Sequence, residues 1–181
     1  FAPMEGITTA LYRKFHHRYF PGVDRYYTPF LSPTRDHVFT PRERREILPE
    51  NNPDVEVVPQ LLTKIPEDFL WAAGELAAMG YRTVNLNLGC PSGTVVAKGK
   101  GSGMLADAAS LDAFLDAVFS RLPCAVSIKT RLGISDPAEF GPILEVYNRY
   151  PLAELIVHPR VQRDAYRHPV RTEQFGPILA A

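Results

Sequence analysis

Four short aliphatic segments of the chain each end in a single polar residue: Gln60, Asn87, Lys129 and His158. The segments are predicted strands, and helical patterns separate them. Strands that alternate with helices indicate βαβ units and a parallel sheet. In a (β/α)8 barrel the residues at the carboxyl ends of the strands form the active site. The sequence therefore predicts an α/β fold of the (β/α)8 TIM-barrel class, with these four side chains at one mouth.

Six strands and several helices are predicted along the chain. The strands are expected at residues 2–4, 25–28, 56–61, 83–87, 125–129 and 154–158. One helix begins at Pro66, with two acidic residues in its first turn, and ends at Gly80. Ser110 is expected to cap the next helix and Asp136 to begin another. A further helix is expected to start within residues 172–181, which gives about six βα units in all.

The strand that contains Asn85 and Asn87 has a pattern that is unusual for a plain core. The two amides share one face, aliphatic residues share the other, and the strand runs into Gly89-Cys90-Pro91. Pro91 restricts Cys90 to extended conformations, so the backbone sets the direction of the thiol. We therefore predict that Cys90 lies at the mouth of a site, although an inert buried thiol is the commonest fate of a free cysteine.

Positive charge is concentrated in two places, although the formal net charge is +0 at pH 7. Lys98 and Lys100 stand among glycines with no acidic residue nearby. The second cluster comprises Arg160, Arg163, Arg167 and Arg171, with only Asp164 to oppose them. A neutral chain does not bind RNA by bulk charge, so each cluster is either a solvated face or a local contact to phosphate.

Five motifs, taken in order, resemble the tRNA-dihydrouridine synthases, which are flavin enzymes that reduce uridine in tRNA. The motifs are APMEGIT (2–8), VPQL (58–61), NLGCP (87–91), SIKTRLG (127–133) and VHPR (157–160). Each motif is weak by itself, whereas all five in this order and at these spacings are a strong signal. The resemblance covers nearly the whole chain.

The resemblance implies an oxidoreductase that uses FMN as cofactor, NADPH as reductant and tRNA as substrate. Cys90 matches the family's general acid, and a thiol is mostly protonated at neutral pH and can donate a proton. Lys129 matches a residue at the flavin pyrimidine edge, where a cation stabilises the negative charge of reduced flavin. Flavin contacts are also implied for Pro3, Met4, Gln60 and His158. Contacts to uracil, to the thiol loop or to RNA are implied for Asn87, Lys98, Lys100, Arg131 and Arg160.

Two further positions bear on these implied roles. The glycine-rich loop at residues 99–103 is expected to be flexible and to close over a uracil that has been flipped out of the RNA. Pro159 stands where the family more often has glycine. Because proline lacks a backbone N–H, a flavin-phosphate contact through that amide is not expected here.

Length and composition limit the classes of protein to which this chain can belong. The 181 residues suit one domain, which we expect to be the flavin-binding barrel without its last strands and without the family's C-terminal helical domain. No apolar run is long enough for a membrane span, and no signal-peptide pattern is present. Two cysteines, Cys90 and Cys124, lack metal-site spacing. We expect a cytoplasmic enzyme with no membrane or metal partner.

Two other functional classes stay open. A different FMN-dependent barrel, such as a dihydroorotate dehydrogenase relative acting on a free small substrate, would share Lys129 and the strand-end amides. It would not need Cys90 followed by the lysine-bearing loop. A non-catalytic RNA-binding relative is the second alternative, and the presence of both Cys90 and Lys129 opposes it. A Rossmann enzyme is not indicated, because the glycines at 99–103 lack its phosphate-binding spacing.

Overall fold

The computed structural model describes residues 1–180 and consists of parallel strands that alternate with helices. The strands are β1 (Tyr26–Tyr27), β2 (Val57–Val58), β3 (Gln60–Leu61), β4 (Thr83–Leu88), β5 (Ala125–Arg131) and β6 (Glu154–His158). The helices are α1 (Ala10–Tyr19), α2 (Pro41–Ile47), α3 (Pro66–Ala78), α4 (Gly93–Val96), α5 (Ala108–Phe119), α6 (Phe140–Tyr147) and α7 (Phe175–Ala180). Of the region predicted at 172–181, Ala181 lies outside the described residues.

The strands pair in chain order, and every pairing is parallel. Strand β1 pairs with β2, and strands β3, β4, β5 and β6 form one sheet in that order. Pro59 separates β2 from β3 because proline has no N–H for the ladder; its carbonyl still accepts a hydrogen bond from Asn85 N at 2.8 Å. Parallel neighbours in sequence order, joined through helices, are the arrangement of a (β/α)8 barrel, and the predicted fold class is confirmed.

The two faces of the central strands differ as the sequence pattern predicts. Leu86 and Ile128 are fully buried in the hydrophobic core that the strands share with the helices. Phe69 of α3 and Leu115 of α5 belong to the same core and are also fully buried. Burial of each such side chain contributes about 1.5–3 kcal/mol. The apolar face of the sheet therefore fixes the helices outside, and the amide face is left for the interior of the arc.

Helices α1 and α2 were not predicted from the sequence. The one buried residue of α1 is Arg13, whose guanidinium bonds Glu46 Oε2 at 3.0 Å, Thr8 O at 2.7 Å and Asn52 Oδ1 at 2.7 Å. An arginine anchors the buried side of α1, and the apolar residues Leu11, Phe15 and Tyr19, which recur at helical spacing, lie on its exposed side. Helix α2 has only seven residues, which is too few to show a clear apolar period. Its local sequence signal is the capping box that begins at Thr40.

Two boundaries differ from the sequence-based expectation. Residues 2–4 form no strand, although Phe1 O accepts a hydrogen bond from Tyr27 N at 3.1 Å. The N-cap of α5 is Asp107 instead of Ser110. The Asp107 carboxylate accepts from Ala109 N at 3.0 Å and from the Ser110 hydroxyl at 2.6 Å. The carboxylate is the stronger acceptor, and hydrogen bonding by Ser110 lowers the pKa of Asp107.

Other boundaries agree with the sequence. Helix α3 begins at Pro66, and Gly80 follows its end with φ +97°. Asp136 and Glu139 form a capping box at a short 3-10 turn, Pro137–Glu139, that leads into α6. No helix within residues 1–180 has the length and apolar character needed to cross a lipid bilayer.

Candidate active site

A cleft of about 210 Å³ lies at the carboxyl ends of the strands. Eight of the residues that the sequence singles out line this cleft: Pro3, Met4, Gln60, Asn87, Cys90, Lys129, Arg131 and His158. They come from the N-terminal segment and from the ends of β3, β4, β5 and β6. The structure thus brings together residues that span the chain from position 3 to position 158.

Buried amides connect the floor of the cleft. Gln60 Nε2 donates to Asn85 Oδ1 at 2.8 Å, and Asn85 Nδ2 donates to Ser127 Oγ at 2.9 Å. Asn87 Nδ2 donates to Gln60 Oε1 at 2.7 Å. Because buried amides that satisfy one another are held in a single orientation, Gln60 and Asn87 present fixed edges to the cleft.

The backbone of Cys90 is held on both sides. Asn87 Oδ1 accepts from Cys90 N at 2.9 Å and from Gly89 N at 3.1 Å. On the other side, Cys90 O accepts from Ser102 Oγ at 2.8 Å and from Ser102 N at 3.1 Å, and Ser102 is 0% exposed. Arg131 Nε donates to Gly89 O at 2.8 Å. The half-buried Cys90 thiol therefore sits on a peptide whose donor and acceptor are both engaged.

The glycine-rich segment after Cys90 is folded into regular turns, and its expected closure over uracil stays a prediction. Helix α4 is followed by a 3-10 helix, Gly101–Ala106, that packs against the thiol-bearing turn. Gly101 has φ +58°, and a Cβ at this position would lie 2.8 Å from Cys90 O and 2.9 Å from Val95 Cγ1. The glycine is required because the segment approaches the Cys90 carbonyl closely.

Replacement of Gly101 by alanine is expected to destabilise the fold by about 2–4 kcal/mol. A left-handed backbone costs a non-glycine residue about 1–2 kcal/mol, and overpacking costs about 1–3 kcal/mol. Gly74, in the middle of α3 with nothing within 4 Å of a built Cβ, is the matched control. Its replacement by alanine should stabilise by about 0.5–1 kcal/mol. Urea unfolding of both variants measures the difference, and equal stabilities would contradict the close packing against Cys90.

The far wall of the cleft is cationic. Burial lowers the pKa of Lys129, and the nearby charge of Arg131 lowers it further. Within residues 1–180 no carboxylate forms an ion pair with Lys129. Burial also lowers the pKa of Arg131, which is 1% exposed. Two cations that form no ion pair with a carboxylate among residues 1–180 make this wall receptive to an anionic or electron-rich group.

Arg131 also ties the cleft wall to the segment after β6. Its Nη1 donates to Val161 O at 3.0 Å and to Ala165 O at 2.9 Å. Its Nη2 is buried and has no hydrogen-bond partner among the described residues. Since a buried donor without a partner costs about 1–3 kcal/mol, Nη2 is a candidate contact for a bound molecule.

His158 is neutral at physiological pH. Burial lowers its pKa to about 4, and the charges of Arg131, Lys129 and Arg160 act in the same direction. Arg160 Nη1 lies 3.0 Å from His158 Nε2. A guanidinium can only donate, so Nε2 accepts and Nδ1 carries the proton. His158, one of the residues that line the cleft, is therefore a neutral N–H donor.

Three predicted contact residues lie outside the cleft lining: Lys98, Lys100 and Arg160. Lys98 is exposed and Lys100 is half-buried. Arg160 holds His158 and also donates to His168 O at 2.6 Å. Arg160 therefore influences the cleft through its hydrogen bond to His158.

Several lining residues were not predicted from the sequence. They include Glu5, Pro29, Phe30 and Tyr166. Pro29 and Phe30 follow β1, so the strand-end rule could have found them. Tyr166 is 72% exposed, and its ring lies 5.3 Å from Arg131 Cζ. No periodic signal marks Tyr166, because it lies in an irregular segment after β6.

Comparison with known proteins identifies relatives of the whole described region. A family model for dihydrouridine synthases matches residues 1–178. A probable tRNA-dihydrouridine synthase 1 from Synechocystis is 33% identical over 184 residues, which cover 99% of this chain and 50% of that protein. Probable tRNA-dihydrouridine synthases from Staphylococcus epidermidis and Staphylococcus aureus are 36% and 35% identical over 100 residues, 55% of this chain and 30% of each relative. The chain spans about half the length of the first of these relatives.

Proposed function

Because the chain belongs to the dihydrouridine synthase family, we propose that the protein reduces the C5–C6 bond of uridine in tRNA, with FMN as cofactor and NADPH as reductant. The observation that carries the proposal is the half-buried Cys90 at a cleft whose far wall is cationic. The backbone N–H and the carbonyl of Cys90 are both hydrogen-bonded, so the position of the residue is fixed. The family match does not favour the alternative of a flavin barrel acting on a free small substrate. We place this function in the cytoplasm, within the catalytic domain formed by these residues.

The residues of the cleft fit a flavin. Lys129 has no carboxylate partner among residues 1–180, and its ammonium suits the electron-rich pyrimidine edge. Gln60 uses one of its two amide N–H groups in the floor network, and the other is left for the flavin. Bound FMN supplies the hydride, because no protein side chain carries one.

The remaining flavin contacts are proposed for Pro3, Met4 and His158. Met4 N donates to Thr8 Oγ1 at 2.9 Å, and Met4 O accepts from Ile7 N and Thr8 N. The backbone of Met4 is therefore engaged in its own turn, and its exposed side chain is the part that would contact the ring. His158 would contribute its Nδ1–H. Pro159 has no N–H, so a phosphate contact at this point would depend on side chains.

Reduction of the C5–C6 bond adds a hydride at C6 and a proton at C5. We assign the proton to the Cys90 thiol, which becomes a thiolate as C5–H forms. The Cys90 backbone cannot turn away, because Asn87 and Ser102 hold its two ends. A fixed donor avoids reorganisation at the moment of reaction, which is how a general acid gains its effect.

Uridine would be held by the side chains around the thiol. Asn87 and Arg131 both line the cleft and both hold the thiol-bearing turn. Arg131 Nη2, which has no hydrogen-bond partner among residues 1–180, would donate to a uracil carbonyl. Tyr166 at the mouth offers a ring on which a flipped base can stack. Lys98, Lys100 and Arg160 would contact the RNA around that nucleotide.

Nucleoside analysis tests the proposal. In cells that lack this protein, dihydrouridine should disappear from at least one tRNA position, and expression of the full-length protein should restore it. The purified full-length protein should show the absorption of bound flavin. Unchanged dihydrouridine at every tRNA position would contradict the proposed function.

A further inference from the structure

Three lysines form a rim beside the cleft, and one of them was not singled out by the sequence. Lys64 follows β3, and its side chain reaches across to the segment after Cys90. A Cβ built on Gly99 would lie 3.2 Å from Lys64 Nζ, so the Lys64 ammonium lies against the residue between Lys98 and Lys100. We call Lys64, Lys98 and Lys100 the lysine rim.

The charges of the lysine rim act on one another at Lys100. Burial lowers the pKa of Lys100, and the charges of Lys98 and Lys64 lower it further, whereas Asp68 raises it. Asp68 is 6% exposed, and its Oδ1 lies 3.4 Å from His37 Nε2. At Lys100 the attraction of one carboxylate therefore acts against the repulsion of two further ammonium groups. Like charges at close range destabilise one another, and a bound anion would relieve that repulsion.

The lysine rim and the cleft share one segment of chain. A Cβ on Gly101, two residues beyond Gly99, would lie 3.1 Å from Cys90 Cβ. The two sites therefore flank the same short turn. A free nucleoside could fill the cleft without touching the lysine rim, but a polynucleotide must carry its phosphates past the edge of the cleft.

We propose that Lys64, Lys98 and Lys100 together bind backbone phosphate of the RNA next to the nucleotide that occupies the cleft. This inference rests on the proposed function and adds a defined phosphate site to it. A bound phosphate would offset the repulsion among these ammonium groups, and it would fix the strand relative to Cys90. Lysine suits this role because it binds phosphate as a point charge.

The test is the salt dependence of tRNA binding by the full-length protein. Each cation that neutralises a phosphate contributes about 0.7–0.9 to the slope of log K against log salt. The variant K64A/K98A/K100A should therefore lower the magnitude of the slope by about 2–3, and raise Kd about 10–100-fold at low salt.

The matched control removes the same charge from the opposite edge of the sheet. Arg82, Arg121 and Arg149 are exposed and lie just before β4, β5 and β6. R82A/R121A/R149A should leave the slope unchanged. K64A alone should lower its magnitude by about 0.7–0.9.

The outcomes separate this inference from the proposed function. If K64A/K98A/K100A keeps the unaltered Kd and slope while tRNA is still reduced, the phosphate site is wrong and the enzyme activity stands. If K64A alone leaves the slope unchanged, the three-lysine site is also wrong. If the unaltered protein reduces no tRNA uridine, the proposed function fails, and the inference fails with it.

Discussion

Replacement of Cys90 by alanine in the full-length protein is expected to slow uridine reduction about 10²–10⁴-fold, the usual contribution of a positioned general acid. Flavin binding and NADPH oxidation should be unaffected, because neither step uses a thiol. Serine at this position should restore little activity, since a hydroxyl is a much weaker acid than a thiol. Single-turnover oxidation of prereduced flavin by unmodified tRNA measures the effect.

Cys124 provides the matched control. It directly precedes β5, at the edge of the sheet opposite the cleft, and burial raises the pKa of its thiol. Cys124→Ala should leave the rate of uridine reduction within a few fold, with a small loss of packing. A wild-type rate of flavin reoxidation in Cys90→Ala would show that the thiol is not the proton donor.

Replacement of Lys129 by methionine is expected to slow NADPH-dependent flavin reduction about 10²–10³-fold, the usual cost of removing one preorganised charge-stabilising donor. FMN binding should weaken about 10–100-fold, because a hydrogen bond to a charged group is worth about 1.5–3 kcal/mol. Stopped-flow reduction and titration of FMN measure the two effects. Lys14→Met, on the exposed face of α1, should change neither.

Two readouts show whether the ammonium of Lys129 acts as described. Burial, Arg131 and Lys129 hold the pKa of His158 near 4, so removal of the Lys129 charge should raise that pKa in an NMR titration. The unfolding temperature should not fall, since burial disfavours the charged form of Lys129 and methionine keeps most of the stem. An unchanged His158 pKa together with normal flavin reduction would contradict this role.

The sequence determined the fold class and most of the cleft lining. The strand period placed Asn85 and Asn87 on one face and Leu86 on the other, and the structure has them so. Parallel strands bring their carboxyl ends to one edge, so Gln60, Lys129 and His158 were predicted to meet there, and they do. Periodicity is a local property, and a local property was enough for these residues.

Only the tertiary structure decided how the site is held together. Ser102 fixes the Cys90 carbonyl, Arg131 bonds residues on both flanking segments, and Lys64 lies against Gly99. Tyr166 reaches the mouth of the cleft from a segment without periodic structure. The glycines after Cys90 suggested flexibility, yet they allow a close-packed turn. Each of these contacts joins residues from different segments of the chain, and hydrophobic period and local propensity carry no information about which segments come into contact.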